Sequence, residues 1–266
     1  MDIQKYYANA DEKPLDNIAI NGGFTRIFRR IGCIGDSLSS GEFQLKRRNG
    51  TFGYYDKYEY SWGQHIARMT GSTVYNFSKG GMTAREYCEG YAEYNGFWNP
   101  EKACQAYIIA LGCNDQWKPD EIGTIADIDF KDYNNNKKTF VGYYGKIVQR
   151  MKEIQPRAKF FFVTMPKEPE IDANSAKEIV CERIREMADR FENAYVIDLH
   201  KYAPACDAKF KEAFFMENHM NPQGYVLMAD IMSSYIDYII RNNPKDFEEV
   251  AFIGSKTTGY KEINID

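Results

Sequence analysis

Three separated places in this chain hold residues that could do chemistry together. Ser37 lies in Gly35-Asp36-Ser37-Leu38-Ser39-Ser40-Gly41, a glycine-flanked turn that can expose a hydroxyl as a nucleophile. A plain flexible turn accounts for the same letters. Asn114, in Gly112-Cys113-Asn114-Asp115, carries an amide able to donate a hydrogen bond to a developing negative charge. The commoner use of Asn-Asp is a helix cap or an Asx-turn. The third place is His219, in Glu217-Asn218-His219-Met220-Asn221-Pro222-Gln223-Gly224-Tyr225. Imidazole is scarce here: His65, His200 and His219 are the only histidines, so a mechanism that needs one has three candidates. His65 sits in a helix-like stretch near the surface. His200 follows Asp198-Leu199 with no second ligand paired to it, and both take a structural reading.

The elements that must position these residues read as alternating strands and helices. Short apolar runs at Ile31–Ile34, Val74–Phe77, Ala106–Leu111, Lys159–Thr164 and Tyr195–Ile197 are strand candidates. Helical period appears at Tyr144, Ile147, Val148, Met151 and Ile154, ended by Pro156. It returns at Ala176, Val180, Ile184 and Met187, and again from Tyr225 to Ile239 before Asn242-Asn243-Pro244. Continuous apolar strands alternating with helices predict an α/β fold with a parallel sheet covered on both faces. In such sheets ligands bind outside the carboxyl ends of the strands. Ser37 comes after the first strand, the paired glycines of Ser78-Lys79-Gly80-Gly81-Met82 after the second, and Asn114 after the third. Those glycines let a backbone approach a ligand, and they equally suit a tight turn into a helix. Asp132–Lys138 is polar enough for a surface loop. The segment after Pro244 either packs on the domain or meets another copy.

Composition removes other classes. Thirty-four basic against 38 acidic residues leave a charge of −4, with no electrostatic footprint for nucleic acid or an anionic membrane. No apolar run approaches the ~18 residues of a membrane span. The six cysteines show no C-x-x-C spacing and read as reduced thiols, which with the absence of an apolar leader points to the cytoplasm. A leader removed by processing would leave the same N-terminus and a secreted protein. No metal and no cofactor is expected. Asn49-Gly50-Thr51 and Asn76-Phe77-Ser78 match the glycosylation pattern but mean little without a leader. Neither G-x-G-x-x-G nor G-x-x-x-x-G-K-[ST] occurs, against a nucleotide binder, and no G-x-S-x-G elbow occurs, against an α/β-hydrolase.

Taken in order, Gly35-Asp36-Ser37-Leu38-Ser39, then Asn76, Gly81 and Thr83, then Gly112 to Asp115, then His219, Gly224 and Tyr225, the chain resembles the SGNH, or GDSL, hydrolase superfamily. Ser78 replaces the first glycine of that family's second block. The resemblance covers about residues 28–241 and implies a three-layer α/β/α sandwich with a five-stranded parallel sheet in flavodoxin-like order. The whole chain, 1–266, then reads as a single domain with an N-terminal extension and a C-terminal tail. It also implies a serine esterase without cofactor. Ser37 is the expected nucleophile and His219 its base, with an oxyanion hole made by the N–H groups of Ser37 and Gly81 and the amide of Asn114. Asp36 is expected to fix the turn.

One departure stands out. The family usually places an Asp three residues before the His, and here that residue is Met216. A backbone carbonyl near Met216, the Glu217 carboxylate and the Asp198 carboxylate are the candidates to orient His219, with the carbonyl favoured. The aromatic stretch Phe52, Tyr54, Tyr55, Tyr58, Tyr60 and Trp62 reads either as a platform for a sugar or acyl group or as packing under a long loop. The expected substrate is a small or carbohydrate ester with a short acyl group, and an oligomer is allowed. The competing reading is a non-catalytic carbohydrate-binding or scaffold protein with a degenerate triad.

Overall fold

Phe160, Phe161 and Phe162 are consecutive, and successive side chains of a strand face opposite sides of its sheet. All three are fully buried, so both sides must be covered. The computed structural model describes residues 3–170, 172 and 175–254. Its strands, in chain order, are β1 (Arg30–Gly35), β2 (Glu42–Lys46), β3 (Phe52–Asp56), β4 (Thr73–Asn76) and β5 (Ala106–Ala110). They continue with β6 (Lys159–Val163), β7 (Ala194–Ile197), β8 (Phe215–Met216) and β9 (His219–Met220). The helices that matter here are α1 (Ser37–Ser40), α2 (Trp62–Thr70), α3 (Phe140–Ile154), α4 (Ala176–Ala188) and α5 (Pro222–Asn242).

A five-stranded parallel sheet runs in the order β4-β1-β5-β6-β7. Numbered along the chain, its strands read 2-1-3-4-5, the flavodoxin-like order, which reverses between β1 and β5. Phe160 and Phe162, with Tyr107 and Ile109, pack against Tyr144, Ile147 and Val148 of α3 and Val180 and Ile184 of α4. Phe161 and Val163, with Ile31, Cys33 and Ile108, pack on the other face against Ile66 of α2 and Tyr225, Ile231 and Ile236 of α5. The expected three layers are present. Two antiparallel hairpins, β2–β3 and β8–β9, lie outside this sheet.

The described residues before β1 and after α5 pack onto the sheet and α5. Arg241 on α5 has a buried side chain that donates to both carboxylate oxygens of Glu12 at 2.7 Å and to Asp237 at 2.8 Å. The Arg241 hydrogen bonds hold the Glu12 carboxyl below its ordinary range. Asp237 also accepts the Phe24 N–H at 2.7 Å. A Cβ on Gly23 would stand 2.2 Å from Asp237 Oδ1, and Gly23 has φ +52°, so only glycine passes there. After α5, Phe247 stacks on Phe161 and lies tilted against Tyr195, and Val250 O accepts a hydrogen bond from Gln105 Nε2 at 2.8 Å. The tail beyond Gly254 lies outside the described residues.

Candidate active site

The serine end begins where β1 stops. A Cβ at Gly35 would lie 2.2 Å from Ser39 Oγ, so glycine there lets α1 fold back against the strand. Asp36 caps α1, its Oδ1 accepting the Leu38 N–H at 3.0 Å, which is the turn-fixing role expected of it. Its carboxyl is pushed up to about 7, chiefly by burial and further by nearby Asp115, against the pull of the Leu38 N–H. Ser37, half-buried, is the first residue of α1, and its Oγ has no hydrogen-bond partner among the described residues.

The two neighbouring strands of β1 deliver the other expected donors. After β4 the chain turns at Lys79–Met82, closed by the Met82 N–H on Lys79 O at 3.2 Å. Gly81 takes φ +74° there, and its surroundings are open, so glycine is required by the backbone and not by space. After β5, Asn114 precedes a short 3₁₀ turn but makes no side-chain cap bond. Its Nδ2 donates instead to Met82 O at 3.1 Å, leaving a second amide hydrogen beside the Gly81 turn. Asp115 Oδ1 accepts the Ala84 N–H at 3.0 Å, a second stitch between the same two turns. Its Oδ2 is buried without a partner among the described residues, and burial pushes this carboxyl up to about 7.

His219 comes from outside the sheet. It lies opposite Met216 in the β8–β9 hairpin, whose turn places exposed Glu217 at φ +57°. Helix α1 and strand β9 lie against each other, which brings the serine and histidine segments together. The imidazole is held by β2. Its Nδ1 is 3.3 Å from Gln44 Oε1, and its Nε2 is 3.1 Å from Glu42 Oε1. Residues 42 and 44 are two apart on a strand and therefore share a face. Gln44 is buried, and its Oε1 also accepts the Asn218 N–H at 3.0 Å. Glu42 reaches across to the glycine turn, where a Cβ at Gly80 would lie 2.2 Å from its Oε2. Burial lowers the imidazole's proton affinity, against Asp56, and raises that of Glu42 together with Asp56. The β2–β3 hairpin is tied back to the serine helix by Ser40 Oγ, which donates to Asp56 Oδ1 at 2.5 Å.

None of the three expected orienters holds His219. Both Asp198 oxygens are taken by Arg185 at 2.8 and 2.9 Å, and one also accepts the Thr164 hydroxyl at 3.0 Å. Met216 meets His219 only through the hairpin ladder, and the Glu217 side chain points into solvent. Glu42 and Gln44 belong to no family block, and their one sequence signal is the polar-apolar-polar alternation Glu42-Phe43-Gln44. His65 sits beside Arg68, with 2.8 Å between Nδ1 and Nη2, and His200 pairs with Glu178 at 2.8 Å, so both are structural. The aromatic stretch divides. Trp62 is buried in the core and Tyr58 bonds Val74 O, whereas Phe52, Tyr54, Tyr55 and Tyr60 are exposed, with Tyr54 edge-on to the His219 ring at 5.8 Å. No described helix is long and apolar enough to cross a membrane.

Comparison with known proteins agrees with this fold. The model of the GDSL-like Lipase/Acylhydrolase family matches residues 33–227. Among solved structures, a family two carbohydrate esterase from Clostridium thermocellum, in complex with cellohexaose, superposes with a TM-score of 0.56 at 16% identity, covering 90% of this chain and 67% of that one. A carbohydrate acetylesterase from Sinorhizobium meliloti gives 0.55 at 16% identity, covering 79% and 99%. A carbohydrate esterase family 2 enzyme with a carbohydrate-binding domain, from Corynascus thermopiles (Myceliophthora fergusii), gives 0.53 at 16% identity, covering 78% and 65%. At such identities these likenesses show the fold. No curated protein matches the chain.

Proposed function

The chain belongs to the GDSL-like lipase/acylhydrolase family and is an esterase, and from that premise we propose that it works through Ser37 and His219 on short acyl esters carried by carbohydrate. Ser37 Oγ attacks the acyl carbonyl while His219 Nε2 takes its proton, then returns it to the departing alcohol. Water repeats the sequence on the acyl-serine and releases the acid. The N–H groups of Ser37 and Gly81 and the free amide hydrogen of Asn114 receive the oxyanion. Glu42 occupies the His219 nitrogen that Ser37 needs, so this mechanism requires the Glu42 carboxyl to swing off Nε2 when the ester enters.

The observation that carries this reading is the origin of the three donors. Ser37, Gly81 and Asn114 lie just past the carboxyl ends of β1, β4 and β5, three adjacent strands at the point where the sheet order reverses. The Asn114–Met82 bond sets the amide beside the Gly81 turn, which a helix cap would not do. Exposed aromatic faces on the β2–β3 hairpin, with Tyr54 against His219, suit a sugar ring. The carbohydrate esterases of similar fold support the same class of substrate.

A second reading, a carbohydrate binder without turnover, is favoured by the bond between Nε2 and Glu42. Hydrolysis of nitrophenyl acetate, butyrate and octanoate, and acetate release from acetylated xylan, separate the two. Ser37→Ala is expected to lower the rate by ~10³-fold or more, with the shortest ester cleaved fastest. Equal rates in wild type and Ser37→Ala overturn the assignment.

A further inference from the structure

We propose that Gln44 is the positioning residue that takes over the missing carboxylate's work, fixing which nitrogen of His219 carries the proton. This rests on the Ser37–His219 reading above. A backbone N–H can only donate, so the atom that Gln44 turns toward the Asn218 N–H, at 3.0 Å, is its carbonyl oxygen Oε1. That same oxygen faces His219 Nδ1 at 3.3 Å. An oxygen lone pair opposite a bare ring nitrogen repels it, so Nδ1 carries the hydrogen. Glu42 Oε1, 3.1 Å from Nε2, fits that tautomer as a protonated carboxyl donating to the ring, the direction in which burial pushes it, and Nε2 is then the accepting, basic nitrogen. Nε2 is the nitrogen a serine must reach, and the tautomer is the one an Asp would have selected.

The amide itself is locked. Gln44 is only 2% exposed, and its Nε2 donates to the Tyr54 hydroxyl at 3.3 Å, so both ends of the amide are spoken for. The bond to Asn218 binds Gln44 to the residue next to the histidine, so the hairpin and its orienter move together. An amide differs from a carboxylate in one respect: it orients without adding negative charge to stabilise the imidazolium. Charge near the ring comes instead from Asp56 on β3 and, when it is ionised, Glu42 on β2. Glu217, in the ring's own hairpin turn, is exposed, while Tyr54 and Tyr225 face the same space from β3 and α5.

The test reads the ring directly. Three histidines make a simple spectrum, in which His219 is assigned from its loss in His219→Asn. Long-range ¹H–¹⁵N correlation spectra of the full chain, labelled at histidine, are expected to show the Nδ1–H tautomer in wild type. Gln44→Leu, close in size but without an acceptor, is expected to lose that preference and to lower kcat by ~10- to 100-fold with KM within about twofold. Gln44→Glu is expected to keep the Nδ1 proton, restore kcat, and move the acid limb of the pH–rate profile upward by about one unit. An unchanged tautomer in Gln44→Leu overturns the proposal. So does a parallel loss of kcat and melting temperature in both variants with a fixed acid limb. Absence of Ser37-dependent hydrolysis in wild type would remove the nucleophile assignment and leave the tautomer result to be judged alone.

Discussion

Ser37, Gly81 and Asn114 stand on turns that leave buried parallel strands, whereas His219 stands on a two-residue strand outside the sheet. The first group is placed mainly by backbone, through ladder register and glycine conformations, with the Asn114 and Asp115 side chains stitching two of the turns together. The second is placed by side chains, Glu42 and Gln44 on one face of an edge hairpin. Backbone placement tolerates little change in residue type, because the strands that set it are core. Side-chain placement can change hands. A methionine where the family keeps an acid is survivable when another element already passes within hydrogen-bond reach.

That contrast can be broken from either side. The largest effect on stability is expected at Arg241, which braces α5 and through it the histidine half. Arg241→Met leaves Glu12 and Asp237 buried without their cation and is expected to cost about 3–5 kcal/mol in denaturant unfolding. A loss below 1 kcal/mol would show the brace to be idle. Asn114→Ala strikes the backbone-held half: about 3 kcal/mol of transition-state stabilisation, read as a ~10²-fold fall in kcat with KM little changed. A change confined to KM would assign Asn114 to substrate binding.

Acid and base sharpen the same division. Asp36 and Asp115 are held up to about 7 by burial, so the folded state keeps protons that the unfolded chain has released. Their contribution is complete below the ordinary Asp value near 3.8 and is lost as pH rises through about 7. Stability is therefore expected to fall between about pH 4 and 7, by about 2 kcal/mol or more for each group, read as a falling melting temperature. Asp115→Asn should flatten that fall, and a slope that survives in Asp36→Asn and Asp115→Asn together places its source elsewhere. The smallest effect belongs to Gly80→Ala, whose Cβ would collide with Glu42 Oε2. It is expected to free Nε2 and change kcat/KM only a few-fold while leaving the acid-side stability profile intact. A wild-type acid limb in Gly80→Ala would mean that Glu42 has not moved.

The backbone-held half was legible in advance for the same reason that it is rigid. Apolar runs such as Lys159–Thr164 announce buried strands, and the few residues just past each run occupy the carboxyl edge of the sheet. Asn114 reads in the sequence as a cap or as a donor, and only the fold shows that its amide makes no cap bond and lies on Met82 O. The partners of His219 were out of reach because β8 and β9 are two residues each, too short for any periodicity. Glu42 and Gln44 lie some 175 positions from the ring they hold, and nothing local records which distant group an edge strand will face. The Asp198 expectation failed through competition, since a guanidinium and a hydroxyl reached its oxygens first.

The Glu12–Arg241 pair spans 229 positions, which gives the molecule an order of completion. As the chain is synthesised, residues 30–115, which hold β1, β4, β5 and the three turns at their ends, come before the helices Phe140–Ile154 and Pro222–Asn242 that cover those strands. Glu12 and the segment around it stay solvated until α5 has emerged, because their partner is among the later residues to be made. Contacts of such length slow folding, since loop closure precedes any return from burial. The turns that carry Ser37, Gly81 and Asn114 are therefore synthesised before the hairpin that carries His219 and the helix that ties down Glu12.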